Sequence, residues 1–297
     1  MSDAYEWSPA DVQRVWPVPG PQDDKYSRGV LGVVAGSDAY PGAAVLVTNA
    51  AIRAGASFVR YVGPRRAQDL VLARHPEVVV HSPADASDAL PHCQAWIVGP
   101  GVADHPEQDA VISAVAQAGL PMLVDAGALE SVALARARGD RAAAADRVLF
   151  TPHADELVRT LQALRHDVTR ADVERDRIGP ARLLAETARA TVLLKGAHTI
   201  VVSPGGAVVS LPVATPWLAT AGSGDTLAGI AGALLAGGLR AADAGASAAW
   251  IHARAGELAA GGGPISALDV ADMVPQVIVR VLATQPSGSA PTEPPPE

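Results

Sequence analysis

Short runs of β-branched and aliphatic residues alternate with longer helical stretches along almost the whole chain. This alternation constrains the fold more than any other feature. The apolar runs fall at 29–35, 58–62, 77–81, 95–98, 121–124, 147–150 and 191–195, and their composition predicts buried strands. Helices are predicted over 9–15, 43–55, 106–118, 154–165 and 171–189, and again over 225–237, 241–260 and 267–283. A hairpin-like pair, 198–203 and 206–210, precedes a loop over 211–224. Strand–helix–strand order of this kind predicts a doubly wound α/β fold with a mainly parallel sheet and helices on both faces. No linker-like break interrupts residues 1–283, which are expected to form one domain. The Pro-rich stretch 284–297 is expected to be disordered.

Open sheets of this class bind ligands at the carboxyl ends of their strands. Several motifs fall there: Gly36-Ser37, Gly99-Pro100-Gly101, Asp125, Thr151-Pro152-His153 and Lys195-Gly196. Gly222-Ser223-Gly224-Asp225 directly precedes an apolar helical run. Small residues let backbone approach a ligand closely, and a helix start presents unpaired N–H groups and a partial positive charge. Together they predict an anion pocket, with Asp225 placing one carboxylate beside it as a base. A simpler role for Asp225, capping the next helix, fits the four residues equally well.

The other motifs also have two readings. The chain has 21 arginines and only two lysines, Lys25 and Lys195, so a lysine kept at a strand end points to contact with a phosphate. A surface lysine beside a turn glycine would look the same. His153 stands just before a helix, where it can face the cleft. Gly99-Pro100-Gly101 suits either close backbone approach or a plain tight turn. Asp125 reads first as a helix cap or a buried pairing partner.

Composition narrows the function classes. A net charge of −8 argues against nucleic acid or an anionic membrane as main partner. The single cysteine, Cys93, can form neither an intrachain disulfide nor a zinc cluster. No secretion signal and no membrane-length apolar run is visible, so a cytoplasmic location is expected. HExxH, paired CxxC, GxSxG and Walker A motifs are missing, as is the GxGxxG of a nicotinamide-binding Rossmann unit.

Taken in order, these stretches resemble one family. They are Lys25-Tyr26-Ser27-Arg28-Gly29, Gly36-Ser37, Pro41-Gly42-Ala43-Ala44, Arg53-Ala54-Gly55-Ala56, His75-Pro76-Glu77, Gly99-Pro100-Gly101, Asp125-Ala126-Gly127-Ala128-Leu129, Thr151-Pro152-His153-x-x-Glu156, Leu194-Lys195-Gly196-Ala197-x-Thr199 and Gly222-Ser223-Gly224-Asp225. The chain is similar over about residues 25–280 to the ADP/ATP-dependent NAD(P)H-hydrate dehydratases, a branch of the ribokinase-like fold. Many members carry a fused epimerase domain, and this chain looks like the stand-alone dehydratase.

The resemblance implies a chemistry and a set of roles. A nucleotide, ADP more readily than ATP, phosphorylates the ring hydroxyl of the S-epimer of hydrated NADH or NADPH. Phosphate then leaves and the dihydronicotinamide is restored. Asp225 would be the catalytic base and would also touch the substrate. Gly222, Ser223 and Gly224 would hold the phosphoryl group. Lys195, Gly196, Ala197, His198, Thr199 and Gly224 would line the nucleotide. Ala43 or Ala44, Gly101 and His153 would line the hydrated dinucleotide. Mg²⁺ is implied, with Glu156 a ligand through water, and so is a homo-oligomer, a tetramer in the family. Two other readings share parts of this signature: a ribokinase-like kinase of a vitamin alcohol, and a non-catalytic nucleotide-binding regulator.

Overall fold

The structure is a computed structural model and describes residues 4–103, 105–140 and 142–283. The stretch 284–297, predicted to be disordered, lies outside the described residues. The described strands are β1 (Tyr5–Glu6), β2 (Val30–Val34), β3 (Phe58–Val62), β4 (Val79–His81), β5 (Ala95–Val98), β6 (Met122–Val124), β7 (Val148–Phe150), β8 (Thr191–Leu194), β9 (Ile200–Val202) and β10 (Val208–Ser210). They form one ten-stranded sheet in the order β1-β10-β9-β8-β7-β6-β5-β2-β3-β4. From β4 across to β8 every pairing is parallel, and the antiparallel pairs are β8–β9 and β9–β10. The predicted hairpin is therefore the antiparallel border of a parallel sheet.

Alternating side chains on the strands feed two cores. Leu31, Ala95, Ile97, Leu123, Leu149 and Leu193 point to one face. Val30, Val34, Trp96, Val98, Met122, Phe150 and Val192 point to the other. This period of two follows from the pleat of a strand, and burial of both faces explains the continuous apolar runs.

The first face is covered by α1 (Pro9–Val15), α2 (Pro41–Arg53), α3 (Arg65–Arg74), α10 (Ser223–Ala236), α11 (Ala241–Ala260) and α12 (Ala267–Ala283). The second is covered by α4 (Pro83–Asp88), α5 (Pro106–Gln117), α6 (Leu129–Arg138), α7 (Ala154–Ala163), α8 (Arg170–Arg175) and α9 (Ile178–Ala188).

Two of the differences from the expected helix boundaries bear on the site. The helix predicted over 171–189 is two helices, broken at Asp176–Arg177. Pro180 is the cause: inside a continuous helix its ring would strike the carbonyl four residues back, at Asp176. The helix predicted to begin at 225 begins at Ser223, with Gly222 as its N-cap residue. Gly224 is thus helical despite its low propensity, because packing of the whole helix outweighs about 1 kcal/mol at one site.

Helix α10 is buried nearly all round, and it lies tight against α2. A β-carbon at Gly229 would stand 2.4 Å from the Val47 carbonyl oxygen, so only glycine permits this approach. The contact fixes the start of α10 beside the start of α2.

Candidate active site

The residue just after each central strand is stitched to the neighbouring strand end, and this stitching aligns the motif residues. The N–H of Gly99 donates to Val34, that of Asp125 to Val98, that of Thr151 to Val124 and that of Lys195 to Pro152, all at 2.9–3.1 Å. Gly36 N–H donates to Pro100 at 2.7 Å. The residues following β2, β5, β6, β7 and β8 therefore meet along one edge of the sheet.

Charge gathers in the middle of that edge. Lys195 Nζ lies 2.8 Å from Asp125 Oδ1 and 3.6 Å from Glu156 Oε2, and all three side chains are largely buried. Burial works against the Lys195 charge. The surrounding Asp125, Glu156 and Asp225 outweigh it and hold the ammonium above its ordinary pKa. Asp125 is thus the buried pairing partner that its sequence allowed, and it makes no side-chain cap.

Asp225 is the third residue of α10, not its cap. Among the described residues its carboxylate accepts no hydrogen bond. Burial, with Asp125 and Glu156 nearby, pushes it up to about 7 even though Lys195 pulls the other way. It is a half-buried acid poised to exchange a proton near neutral pH. Beside it, Gly222 adopts φ 81°, a left-handed conformation suited to glycine, and offers no side chain to cap the helix. The Ser223 N–H turns back to Thr220 at 3.3 Å. The N–H groups of Gly224 and Asp225 lie in the first turn, where the helix supplies no acceptor. A β-carbon on Gly224 would stand 3.5 Å from Lys195 Nζ, so the lysine faces the opening turn of α10 directly.

The other expected residues fall in two places. Gly101 has φ 65°, and a β-carbon there would lie 2.5 Å from that of Ala43 and 3.3 Å from Gly36 Cα. Gly36, Ala43 and Gly101 thus form one small-residue wall, while Ala44 is fully buried beneath Gly36. Gly222 joins this wall to the charged centre, since a β-carbon on it would strike Leu46 of α2. On the opposite side His153 caps α7. Its Nδ1 accepts from the N–H groups of Asp155 and Glu156 at 3.2 and 3.3 Å, and Glu156 Oε2 accepts from the His153 N–H at 2.7 Å. Gly196, Ala197 and His198 lie exposed on the rim, with Thr199 half-buried beside them.

Two contributors escaped sequence reasoning. Arg177 lies under the 195–199 loop and donates to the Leu194 and Lys195 carbonyls at 3.3 and 3.0 Å. His252 of α11 touches Ser223 at 3.1 Å. A lone histidine inside the Ala-rich run of α11 was the available signal for the second. A cavity of about 510 Å³ between α5 and α6 borders the site at Val102 and Gly127 but contains none of its charged groups.

The family model described as NAD(P)H-hydrate dehydratase matches residues 31–275. The chain belongs to the NAD(P)H-hydrate dehydratase family. Within it, the chain is 45% identical over 260 residues to the bifunctional NAD(P)H-hydrate repair enzyme Nnr of Mycobacterium leprae, covering 87% of this chain and 52% of that one. The chain spans about half the length of the first curated relatives it matches. It is 33% identical over 263 residues to the ADP-dependent (S)-NAD(P)H-hydrate dehydratase of Xanthomonas campestris, covering 84% of this chain and 86% of that one. The ADP/ATP-dependent NAD(P)H-hydrate dehydratase of Bacillus subtilis, crystallised with ATP and Mg²⁺, superimposes with a TM-score of 0.82 at 25% identity, covering 95% of this chain and all of that one. The fold is ribokinase-like, as the motif order implied.

Among the described residues no helix is long and apolar enough to cross a membrane. Burial pushes the Cys93 thiol up to about 12, which leaves it unsuited to nucleophilic work.

Proposed function

We propose that the chain dehydrates the S-epimer of hydrated NADH or NADPH at the expense of a nucleotide, ADP in preference to ATP. The observation that carries this reading is Asp225: an unpaired carboxyl pushed up to about 7, at a helix start that no side chain caps, facing the one buried lysine.

The substrate hydroxyl lies against Asp225, which takes its proton as the oxygen attacks the terminal phosphorus of the nucleotide. A bond forms between that oxygen and phosphorus, and the phosphoanhydride bond breaks. The N–H groups of Gly222 and Gly224 face the phosphoryl group in transit, with Lys195 balancing its charge, while the Ser223 N–H, expected to join them, is held by the Thr220 carbonyl. The lone pair of the ring nitrogen then expels phosphate, and loss of a ring proton restores the dihydronicotinamide. Lys195–Thr199 and Gly224 line the nucleotide. Gly101 and His153, with Ala43 rather than the fully buried Ala44, line the dinucleotide.

Mg²⁺ suits this site as a partner of phosphate oxygens. Lys195 already neutralises Asp125, and among the described residues no three acidic, His or Cys side chains are arranged to hold a metal by themselves. Glu156 would hold the ion through water, and the bound ion would neutralise phosphate charge. We further propose a cytoplasmic homotetramer with no nucleic-acid or membrane partner.

The test is to mix the protein with hydrated NADH, Mg²⁺ and either ADP or ATP and follow NADH absorbance. Recovery of absorbance, faster with ADP, is expected. A stable phosphorylated product without NADH recovery would replace this reading with that of a kinase.

A further inference from the structure

Ser223 opens α10 and is buried, although it does not cap the helix. Its hydroxyl oxygen lies 3.1 Å from Nε2 of His252, a buried residue in the middle of α11. A polar ring inside an Ala-rich helix requires a partner, and Ser223 is that partner. The pair adjoins the charged centre, because Ser223 shares the first turn of α10 with Asp225 and with Gly224, which faces Lys195.

We propose that His252 is a positioning residue for phosphoryl transfer: its Nε2–H donates to Ser223 Oγ, leaving the Ser223 hydroxyl proton to donate to the phosphoryl group in transit. Burial, reinforced by Lys195, lowers His252 to about 4, so the ring is neutral in the working range and carries one N–H and one lone pair. In this arrangement the N–H sits on Nε2, the ring nitrogen 3.1 Å from Ser223 Oγ. With that proton filling one lone pair of Oγ, the hydroxyl hydrogen is turned away from the ring. A phosphoryl oxygen can only accept, so the arrangement adds one oriented donor to the backbone N–H groups of the helix start.

This inference rests on the phosphoryl-transfer reading given above. The variants S223A, H252F, H252Q and S223A/H252F are compared for NADH recovery, with nucleotide affinity measured by calorimetry and folding by thermal unfolding. S223A and H252F are each expected to lower kcat by about 10²-fold, the scale of losing one oriented donor, with nucleotide affinity nearly unchanged. H252Q keeps an N–H near the same place and is expected to recover most of the loss. The double variant is expected to be no slower than either single one, because the two residues act as a unit.

Wild-type kcat in H252F, or a double variant slowed by the product of the two single losses, would overturn the proposal. If H252F fails to fold, S223A and H252Q decide: wild-type kcat in S223A, or a kcat in H252Q as low as in S223A, overturns it equally. A wild-type protein that restores no NADH would overturn the underlying function instead.

Discussion

Helices α7 and α10 cover opposite faces of the sheet, and each carries a carboxylate at its third position. Their fates differ. In α7 the first turn closes on itself: His153 accepts from two N–H groups and Glu156 reaches back to the His153 N–H. In α10 the cap position is Gly222, and among the described residues no side chain closes the turn and the Asp225 carboxylate has no hydrogen-bond partner. A closed helix start contributes stability, usually about 1 kcal/mol. An open one leaves donors and an acid for a ligand. The difference turns on one residue, a histidine against a glycine, and it separates a structural helix start from a reactive one.

The largest effect expected from breaking this contrast is at Asp225. Asp225→Asn is expected to lower turnover by at least ~10²-fold while nucleotide binding, measured by calorimetry, persists. The same variant is expected to be more stable than the parent at pH 8. The folded protein holds the Asp225 proton up to about 7, whereas an unfolded chain releases it near pH 4. Stability therefore falls as pH rises between those values, and the full penalty stands above 7. Removing the charge is expected to return about 1–3 kcal/mol in denaturant unfolding at pH 8.

Asp125→Asn takes the nearest partner from Lys195 and is expected to cost about 1–3 kcal/mol. It also removes a like charge from beside Asp225 and frees Lys195 to attract that acid. Both changes lower the Asp225 pKa, so the acidic limb of the pH–rate profile is expected to move below 7.

His153→Ala opens the α7 turn and is expected to cost about 1 kcal/mol in thermal unfolding. A KM rise for the dinucleotide with unchanged kcat would place that ring on the substrate as well.

The smallest expected effect is from Gly224→Ala. The added carbon finds 3.5 Å of room beside Lys195. Helix propensity then favours the variant by about 0.5–1 kcal/mol, while the crowded helix start is expected to turn over more slowly.

Much of this was legible in residue order. The central strands announced themselves because both faces are buried, so no polar residue interrupts their runs. Helix α3 was not announced: only Ala67 and Val71 of its ten residues are buried, and the rest is too polar for a clear apolar stripe. Strand β1 is two residues long and exists only by pairing with β10, some 200 residues away, which no local pattern encodes. Pro180 did mark the break between α8 and α9, and the apolar period around it obscured the signal.

In the site, Gly222–Asp225 and Lys195 could be read because glycine before an apolar helix and a rare lysine are unusual locally. The partnership of Lys195 with Asp125 spans 70 residues, and that of Ser223 with His252 spans 29. Such pairings follow from strand order and helix packing, which a linear pattern does not specify.

The central claim, that the open start of α10 leaves Asp225 as the base, is tested most directly by the pH dependence of kcat/KM for NADH recovery from its hydrate. The account predicts a rise with pH whose midpoint lies near 7, and no such limb in the residual activity of Asp225→Asn. A profile flat through neutral pH, or the same limb in the Asn variant, would contradict it.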